Sequence, residues 1–338
     1  MGQSAPHSID GAAHGFNCKG GVTGPRSRAY GERRMPAYAR WVIVCLGEAI
    51  VDLVCERELA EPGEADNFVP HPGGALANVA VAARRAGAEA ALLGAVGDDA
   101  WGSWLREKLW QERVDIRWLE TTEGLATPVA FVTFNWEREP SFAIYGEGIA
   151  QAMRAATSHL SEAIAIADAL VFGSNTLVGE PERELTLRAR RAARDRGAHI
   201  LFDPNLRPNR WRDMSRAVRL CREMMDGALV VRANEWEARE LTGERDPAAA
   251  ASALCKLGAQ LGVVTAGGQG AVMRGAANAE AASPPVEVVS PLGAGDAFMG
   301  ALAAGLAGVD WDAERGAEAL KGAVEAGARA CTGWGAQV

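Results

Sequence analysis

The sequence predicts an α/β protein centred on a doubly wound, mostly parallel sheet flanked by helices. Three observations carry this expectation. Short continuous apolar runs recur along the chain, helical stretches separate them, and 338 residues with 48% hydrophobic content suffice to bury one large sheet. A strand covered on both faces reads as an unbroken apolar run, and strands separated by helices join in parallel.

The first such run is Val42-Ile43-Val44-Cys45-Leu46, ended by Gly47. Further strands are expected at 90–96, 169–172, 200–202, 229–231 and 262–265. The helical stretches between them fall at 75–86, 101–112, 182–196, 215–225, 235–241 and 247–261. Two regions break the rhythm. Residues 51–69, and residues 128–145 with the runs Val129-Ala130-Phe131-Val132-Thr133-Phe134 and Ser141-Phe142-Ala143-Ile144-Tyr145, read as strands with no helix between them. They predict a small antiparallel sheet beside the main one. It would be a candidate lid, made of segments at about 51–70 and 126–148 inserted into a domain of residues 41–338. Near the end, Val286-Glu287-Val288-Val289 reads as a strand, followed by a glycine-rich turn and an apolar helix at 297–306.

Composition excludes several classes of function. A net charge of -8 argues against a nucleic-acid surface, and the run Arg188-Ala189-Arg190-Arg191 falls on an expected helix as a solvated face. The six cysteines form no C-x-x-C pair and read as free thiols of a reducing, cytoplasmic protein. The five histidines make no H-x-x-x-H pattern, so no protein-built metal cage is expected. Residues 1–40, with Gly, Ser, Pro and Arg but no apolar h-region, read as a disordered extension, and Met35 is a candidate start of the folded part. No apolar run reaches the roughly 18 residues that a bilayer span requires.

Several glycine-rich turns carry chemistry. In Gly293-Ala294-Gly295-Asp296 a turn opens a helix and aims several backbone N–H groups at one point, where an anion such as phosphate can sit. Asp296 falls in the first helical turn, where the macrodipole favours its ionised form and a carboxylate can take a proton from a hydroxyl. The plainer alternative is a helix start with Asp296 as an ordinary cap. At Pro72-Gly73-Gly74-Ala75-Leu76-Ala77-Asn78 a glycine pair opens the first long helix. Asn78, one turn inside, can donate and accept to a hydroxyl or stand as a neutral surface residue. Asp52 follows the first strand and can hold sugar hydroxyls or serve a turn. Asn234 and Glu237, three apart at a helix start, fit an N-cap with a supporting carboxylate as well as a hydrated Mg2+ site. Thr265-Ala266-Gly267-Gly268-Gln269-Gly270 follows a buried strand and can bring backbone close to a nucleotide or simply turn a hairpin. No Walker A sequence is present, which removes the P-loop kinases.

In their order, Gly73-Gly74-x-x-x-Asn78 continuing through Gly87 to Gly97, and Gly293-Ala294-Gly295-Asp296, resemble the two signatures of the PfkB carbohydrate kinases, also called the ribokinase family. The resemblance covers roughly Trp41 to the C-terminus and implies a ribokinase-like fold. It also implies an ATP- and Mg2+-dependent transfer of the γ-phosphate to a primary hydroxyl. By resemblance Asp296 is the general base, and Gly293, Ala294 and Gly295 form the anion hole. Asp52, Gly73, Gly74 and Asn78 match positions that hold the sugar, with Arg207 a further substrate contact. Asn234 and Glu237 look like the magnesium and phosphate organiser, with Glu237 meeting the metal through water. Asn205, Thr265, Gly267, Gly268 and Gly270 fall to the nucleotide. Phosphoryl transfer asks for positioning and charge stabilisation more than covalent chemistry, so a base, an amide nest and a metal suffice.

The runs Asp203-Pro204-Asn205-Leu206-Arg207 and Phe172-Gly173-Ser174 look like the fructokinase branch, so a neutral sugar, fructose first, is expected. Sugar-acid kinases of this family usually place an Arg after the lid tyrosine. This chain reads Tyr145-Gly146-Glu147, and a carboxylate there would repel a sugar acid, although Arg207 can still pair with an acid or a phosphate. A 2-keto-3-deoxygluconate kinase, a ribokinase or nucleoside kinase, and a non-catalytic binding protein are the alternatives on the same scaffold. Ser290-Pro291-Leu292 stands where relatives commonly have Asp-Thr-Thr, so potassium activation is not implied. The stretch Ala323-Val324-Glu325-Ala326-Gly327-Ala328 lacks the Asn often seen beside the adenine. Unpaired lid edges, and the habit of relatives, imply a homodimer through the lid. Trp101, Trp104, Trp110, Trp118 and Trp136 are expected around the lid, with Trp136 at its tip. The expected partners are a small sugar and ATP, with no nucleic acid and no membrane.

Overall fold

The structure, a computed structural model, describes residues 41–145 and 148–338. The extension expected at 1–40, and Gly146 and Glu147 of the sugar-acid argument, lie outside the described residues. In chain order the elements begin with β1 (Val42–Leu46), β2 (Ile50–Glu58), β3 (Val69–Gly73), α1 (Ala75–Arg85), β4 (Glu89–Gly97), α2 (Ala100–Gln111) and β5 (Leu119–Thr122). Then come β6 (Val129–Phe134), β7 (Pro140–Tyr145), α3 (Gly148–Ala155), α4 (Leu160–Ala165), β8 (Ala169–Gly173), α5 (Glu180–Asp195), β9 (His199–Asp203) and α6 (Met214–Met225). The chain continues through β10 (Val230–Asn234), α7 (Glu235–Thr242), α8 (Pro247–Lys256), β11 (Leu261–Thr265), β12 (Ala271–Gly275), β13 (Ala279–Ala281), α9 (Ala294–Gly308) and α10 (Ala317–Ala330).

Nine strands form the main sheet in the order β13-β12-β11-β10-β9-β8-β1-β4-β5. From β11 to β5 every pairing is parallel, and the hairpin from β11 into β12 adds the antiparallel edge. Alternation along each strand sends residues to two cores. Ile43 and Cys45 of β1 join a cluster with Leu76 and Val79 of α1, Phe298 and Leu302 of α9 and Leu320 of α10. Val44 and Leu46 face the other way, onto Leu185 of α5, Cys221 and Met225 of α6 and Leu254 of α8. This is the doubly wound, helix-flanked sheet that the apolar runs predict. The strand order reverses on either side of β1, and in such sheets the crevice beyond the carboxyl ends of the strands at that point is the usual ligand site.

The expected lid strands do make a second sheet, in the order β3-β2-β6-β7, but it is not purely antiparallel. β2 and β6 lie parallel, because they are not consecutive in the chain and the connection through α1, β4, α2 and β5 returns β6 in the same direction. Ile50, Val54, Ala130, Val132 and Phe134 form a third core with Leu292 and Ala336. Three further expectations are corrected. Val286–Val289 has no ladder partner and is not a strand; Val289 N and Ser290 N donate instead to the Cys331 carbonyl. The helix expected over 247–261 ends at Lys256, since Gly258 takes φ 113 to turn the chain into β11. Trp101, Trp104 and Trp110 sit on α2 and Trp118 is buried just before β5, so of the five only Trp136, 71% exposed in the β6–β7 turn, belongs to the small sheet.

Candidate active site

The N-terminus of α9 meets β2, α1 and the ends of β9 and β10 beyond the switch point. Gly293 is the α9 N-cap with φ 78, a left-handed conformation that a side chain resists, and a Cβ there would collide with Ala336. No side chain caps this end of α9, and of the first-turn amides Ala294 N donates to the Pro291 carbonyl at 3.3 Å. Asp296 follows in that turn and is buried, with 9% exposure. Its Oδ2 accepts from Asn78 Nδ2 at 2.9 Å and its Oδ1 from Asn205 Nδ2 at 3.4 Å. Burial raises its pKa to about 7, against the lowering effect of the Asn78 hydrogen bond; Asp203 raises it further and Arg207 and Arg232 lower it.

Asp52 reaches the same place from β2. Burial raises its pKa to about 7, and Asp296 adds to the rise as a like charge. A Cβ on Gly73 would overlap the Asp52 carboxylate, and one on Gly74, at φ 99, would strike the Glu48 carbonyl. The glycine pair thus lets α1 begin tight against β2. Beside it, Glu48 Oε1 accepts from Asn175 Nδ2 at 3.0 Å, a buried polar contact that the sequence did not single out.

A buried cation lies under the α9 turn. Arg232 of β10 donates from Nη1 to Asp203 Oδ2 at 3.1 Å and from Nη2 to Thr265 Oγ1 at 2.7 Å, and it is 7% exposed. A Cβ on Gly295 would sit 2.6 Å from Arg232 Nη1, so only glycine lets the turn rest on the guanidinium. Arg207 stands at the rim, its guanidinium 5.1 Å from the Phe142 ring of β7. Arg207 lowers the pKa of both Asp52 and Asp296, which places its charge among the carboxylates.

The Asn234–Glu237 pair takes the capping form. Asn234 Oδ1 accepts from Glu237 N and Glu237 Oε2 from Asn234 N, both at 2.9 Å, while Glu237 Oε1 accepts from Leu206 N at 2.7 Å. At 1% exposure the Glu237 carboxylate has no face open to a hydrated ion, and no group of three or more His, Cys, Asp or Glu that could hold a metal occurs among the described residues. These residues therefore do not fit a protein-held magnesium. Thr265 ends β11, and Gly267, Gly268 and Gly270 form the turn of the β11–β12 hairpin, where Gly267 and Gly268 are open to solvent and Ala266 N donates to the Gly270 carbonyl. The structure thus brings together Asp52, Asn78, Asn205, Arg207 and Asp296 and links Thr265 to them through Arg232, with Gly267 and Gly268 exposed in the hairpin turn that follows Thr265.

The sequence profile described as pfkB family carbohydrate kinase matches residues 42–338. Fructokinase-1 of Zea mays is 35% identical over 272 residues, covering 79% of this chain and 83% of the maize protein. The aminoimidazole riboside kinase of Salmonella typhimurium is 31% identical over 302 residues, covering 88% of this chain and 90% of its own. Among solved structures, the Vibrio cholerae fructokinase in its fructose, ADP and calcium ion bound form superposes with a TM-score of 0.76 at 28% identity, covering 89% of this chain and 96% of that one. With its ribokinase-like sheet and its matched length, this chain belongs to the pfkB family of carbohydrate kinases, phosphotransferases that act on an alcohol group.

Proposed function

We propose that the chain transfers the γ-phosphate of ATP to a primary hydroxyl of a neutral sugar, with fructose the leading substrate. The observation that carries this reading is Asp296: a buried carboxylate with a pKa of about 7 at the head of a helix whose first amides face no side-chain acceptor. A base is most effective when its pKa lies near the working pH. Asp296 takes the hydroxyl proton, and the N–H groups of the Gly293–Gly295 turn receive the charge that develops on the migrating phosphoryl group. Arg232 beneath Gly295 adds positive potential at the same point. Asp52, Gly73, Gly74 and Asn78 hold the sugar, Arg207 meets its far side or the phosphate, and Asn205, Thr265, Gly267, Gly268 and Gly270 border the nucleotide. Because the Glu237 carboxylate is engaged by backbone N–H groups, magnesium would enter only with the nucleotide, where it would neutralise phosphate charge.

The β2–β3–β6–β7 sheet is read as a lid that excludes water, with the chain from 41 to 338 as one kinase domain. Its β7 edge, with Tyr145 and Trp136 exposed, is the surface through which we read a homodimer. The five described cysteines are free, which suits a cytoplasmic protein. Among the described residues no helix is long and apolar enough to cross a membrane.

Fructokinases among the relatives support fructose. The Salmonella aminoimidazole riboside kinase aligns over the longer stretch, 302 residues against 272, and favours a riboside as the second reading. ATP consumption measured with fructose, ribose, 2-keto-3-deoxygluconate, aminoimidazole riboside and adenosine decides between them. The highest kcat/KM is expected with fructose, and preference for a riboside would replace that substrate. Asp296→Asn is expected to keep sugar and nucleotide binding while kcat falls about 10² to 10⁴-fold. Near-normal turnover in this variant would remove Asp296 from the mechanism.

A further inference from the structure

Three side chains from distant parts of the chain form a hydrogen-bonded series that ends on Asp296. Gln337 Nε2 donates to Asn78 Oδ1 at 2.9 Å, and Asn78 Nδ2 donates to Asp296 Oδ2 at 2.9 Å. A carboxamide has one accepting and one donating end, so whatever engages one end decides what the other presents. With its oxygen taken by a donor, Asn78 turns its NH2 toward the carboxylate. Released from Gln337, the amide could rotate and set its oxygen against the carboxylate oxygen.

The segment that carries Gln337 is anchored on three sides. Arg85 Nη2 donates to the Gln337 carbonyl at 3.2 Å and Arg85 Nη1 to the Val338 carbonyl at 2.7 Å. Ala336 lies where a Cβ on Gly293 would fall, and the Trp334 ring is 5.2 Å from Phe134 of β6. Gln337 also borders a cavity of about 310 Å³ lined by Val81, Arg85, Ala301, Ala326 and Arg329 among others. Its side chain can therefore be exchanged without crowding a packed core.

We propose that Gln337 is a positioning residue for phosphoryl transfer: its amide fixes the orientation of Asn78, so that a donor rather than an acceptor faces Asp296. This rests on the reading of Asp296 as the base. The groups that act on Asp296 from the surrounding elements are Asp203 on β9 and Asp52 on β2, which oppose its ionisation, and Arg207 and Arg232, which favour it. Among the influences that lower its pKa, the Asn78 hydrogen bond is the largest, so its orientation is the setting to which the base is most sensitive.

The test is the pH dependence of kcat/KM for the sugar in Gln337→Glu, Gln337→Met and Gln337→Lys. An ionised Glu has no donor; it accepts from Asn78 Nδ2 and draws the donor away from Asp296. The acid limb of Q337E should move upward by about one pH unit, and that of Q337M by a smaller step. Q337K supplies a donor again and adds a cation, so its limb should lie at or below the original position. A merely structural role for Gln337 would lower the rate at every pH and leave the limb in place. An unmoved limb in Q337M overturns the proposal, because the like charge introduced by Q337E raises the Asp296 pKa even if Asn78 does not turn. Asp296→Asn separates the two levels. If D296N turns over normally, the base reading fails; if D296N is inactive and the limbs do not move, only the role of Gln337 fails.

Discussion

Asp296 accepts a proton only when ionised, and burial brings its titration to about pH 7. With saturating nucleotide, kcat/KM is therefore expected to drop about tenfold per unit below that pH and to level off above it. A profile flat across the range would exclude a carboxylate with this pKa from the proton transfer. Arg232 makes a second residue-level prediction. Removing one member of a buried ion pair leaves the other charge uncompensated, at a cost of about 3–5 kcal/mol. Arg232→Met should thus lower the urea midpoint sharply, because Asp203 is left 4% exposed and unpaired. Adding Asp203→Asn should recover much of the stability but not the turnover, since the positive charge under Gly295 is still gone. Full recovery of kcat in the double variant would mean that Arg232 acts on folding alone. Asp296 and Asn78 were legible in the sequence because turn glycines mark the backbone that positions them. Arg232 was not. The strand expected at 229–231 stops one residue short of it, and its partners lie 29 and 33 residues away on neighbouring strands, which no local pattern reports.

A helix start shows the same limit one level up. Asn234 and Glu237 suit a cap or a metal equally well on spacing, and only the buried, twice-bonded carboxylate favours the cap. Asn234→Ala is expected to cost about 1 kcal/mol of stability, read as a lower urea midpoint, with the magnesium dependence of the rate unchanged. Asn234→Ser should restore most of the loss. A large rise in the magnesium concentration needed for half-maximal rate would return the pair to a metal role. Buried strands were the most legible elements, because a sheet covered on both faces leaves uninterrupted runs such as Val42–Leu46. The helix α10 went unread, since Gly322 and Gly327 weaken its pattern, yet Gly327 is what lets it approach α9, where a Cβ would lie 3.1 Å from the Ala294 carbonyl. Strand β5 is a short edge strand, and its pairing with β4 is decided by tertiary contact. The run Val286–Val289 has the composition of a strand but no neighbour to pair with.

At the scale of the whole molecule, the site works against the fold that holds it. Asp52 and Asp296 each have a pKa of about 7 in the native state against 3.8 when unperturbed, so the native state holds protons that the unfolded chain releases between about pH 4 and 7. Stability must therefore fall as pH rises through that window, by up to about 1.4 kcal/mol per unit for each group. This is the reverse of the usual carboxylate, whose pairing stabilises at neutral pH. Local burial explains the sign: both side chains lie where two sheets and α9 exclude water, and Asp203 adds a further like charge. Such a charge cluster is hard to account for as packing, whereas the proposed base and sugar-holding carboxylate would require it. The prediction is a pH-dependent gain on neutralisation. At pH 8 Asp296→Asn should melt several degrees above the original protein, because it no longer ionises a buried group, while at pH 5, where Asp296 is already protonated, the two should melt together. Thermal unfolding at both values reads the difference directly. An equal shift at pH 5 and pH 8 would mean that the substitution acts through packing, and that the carboxylate carries no folding cost of this kind.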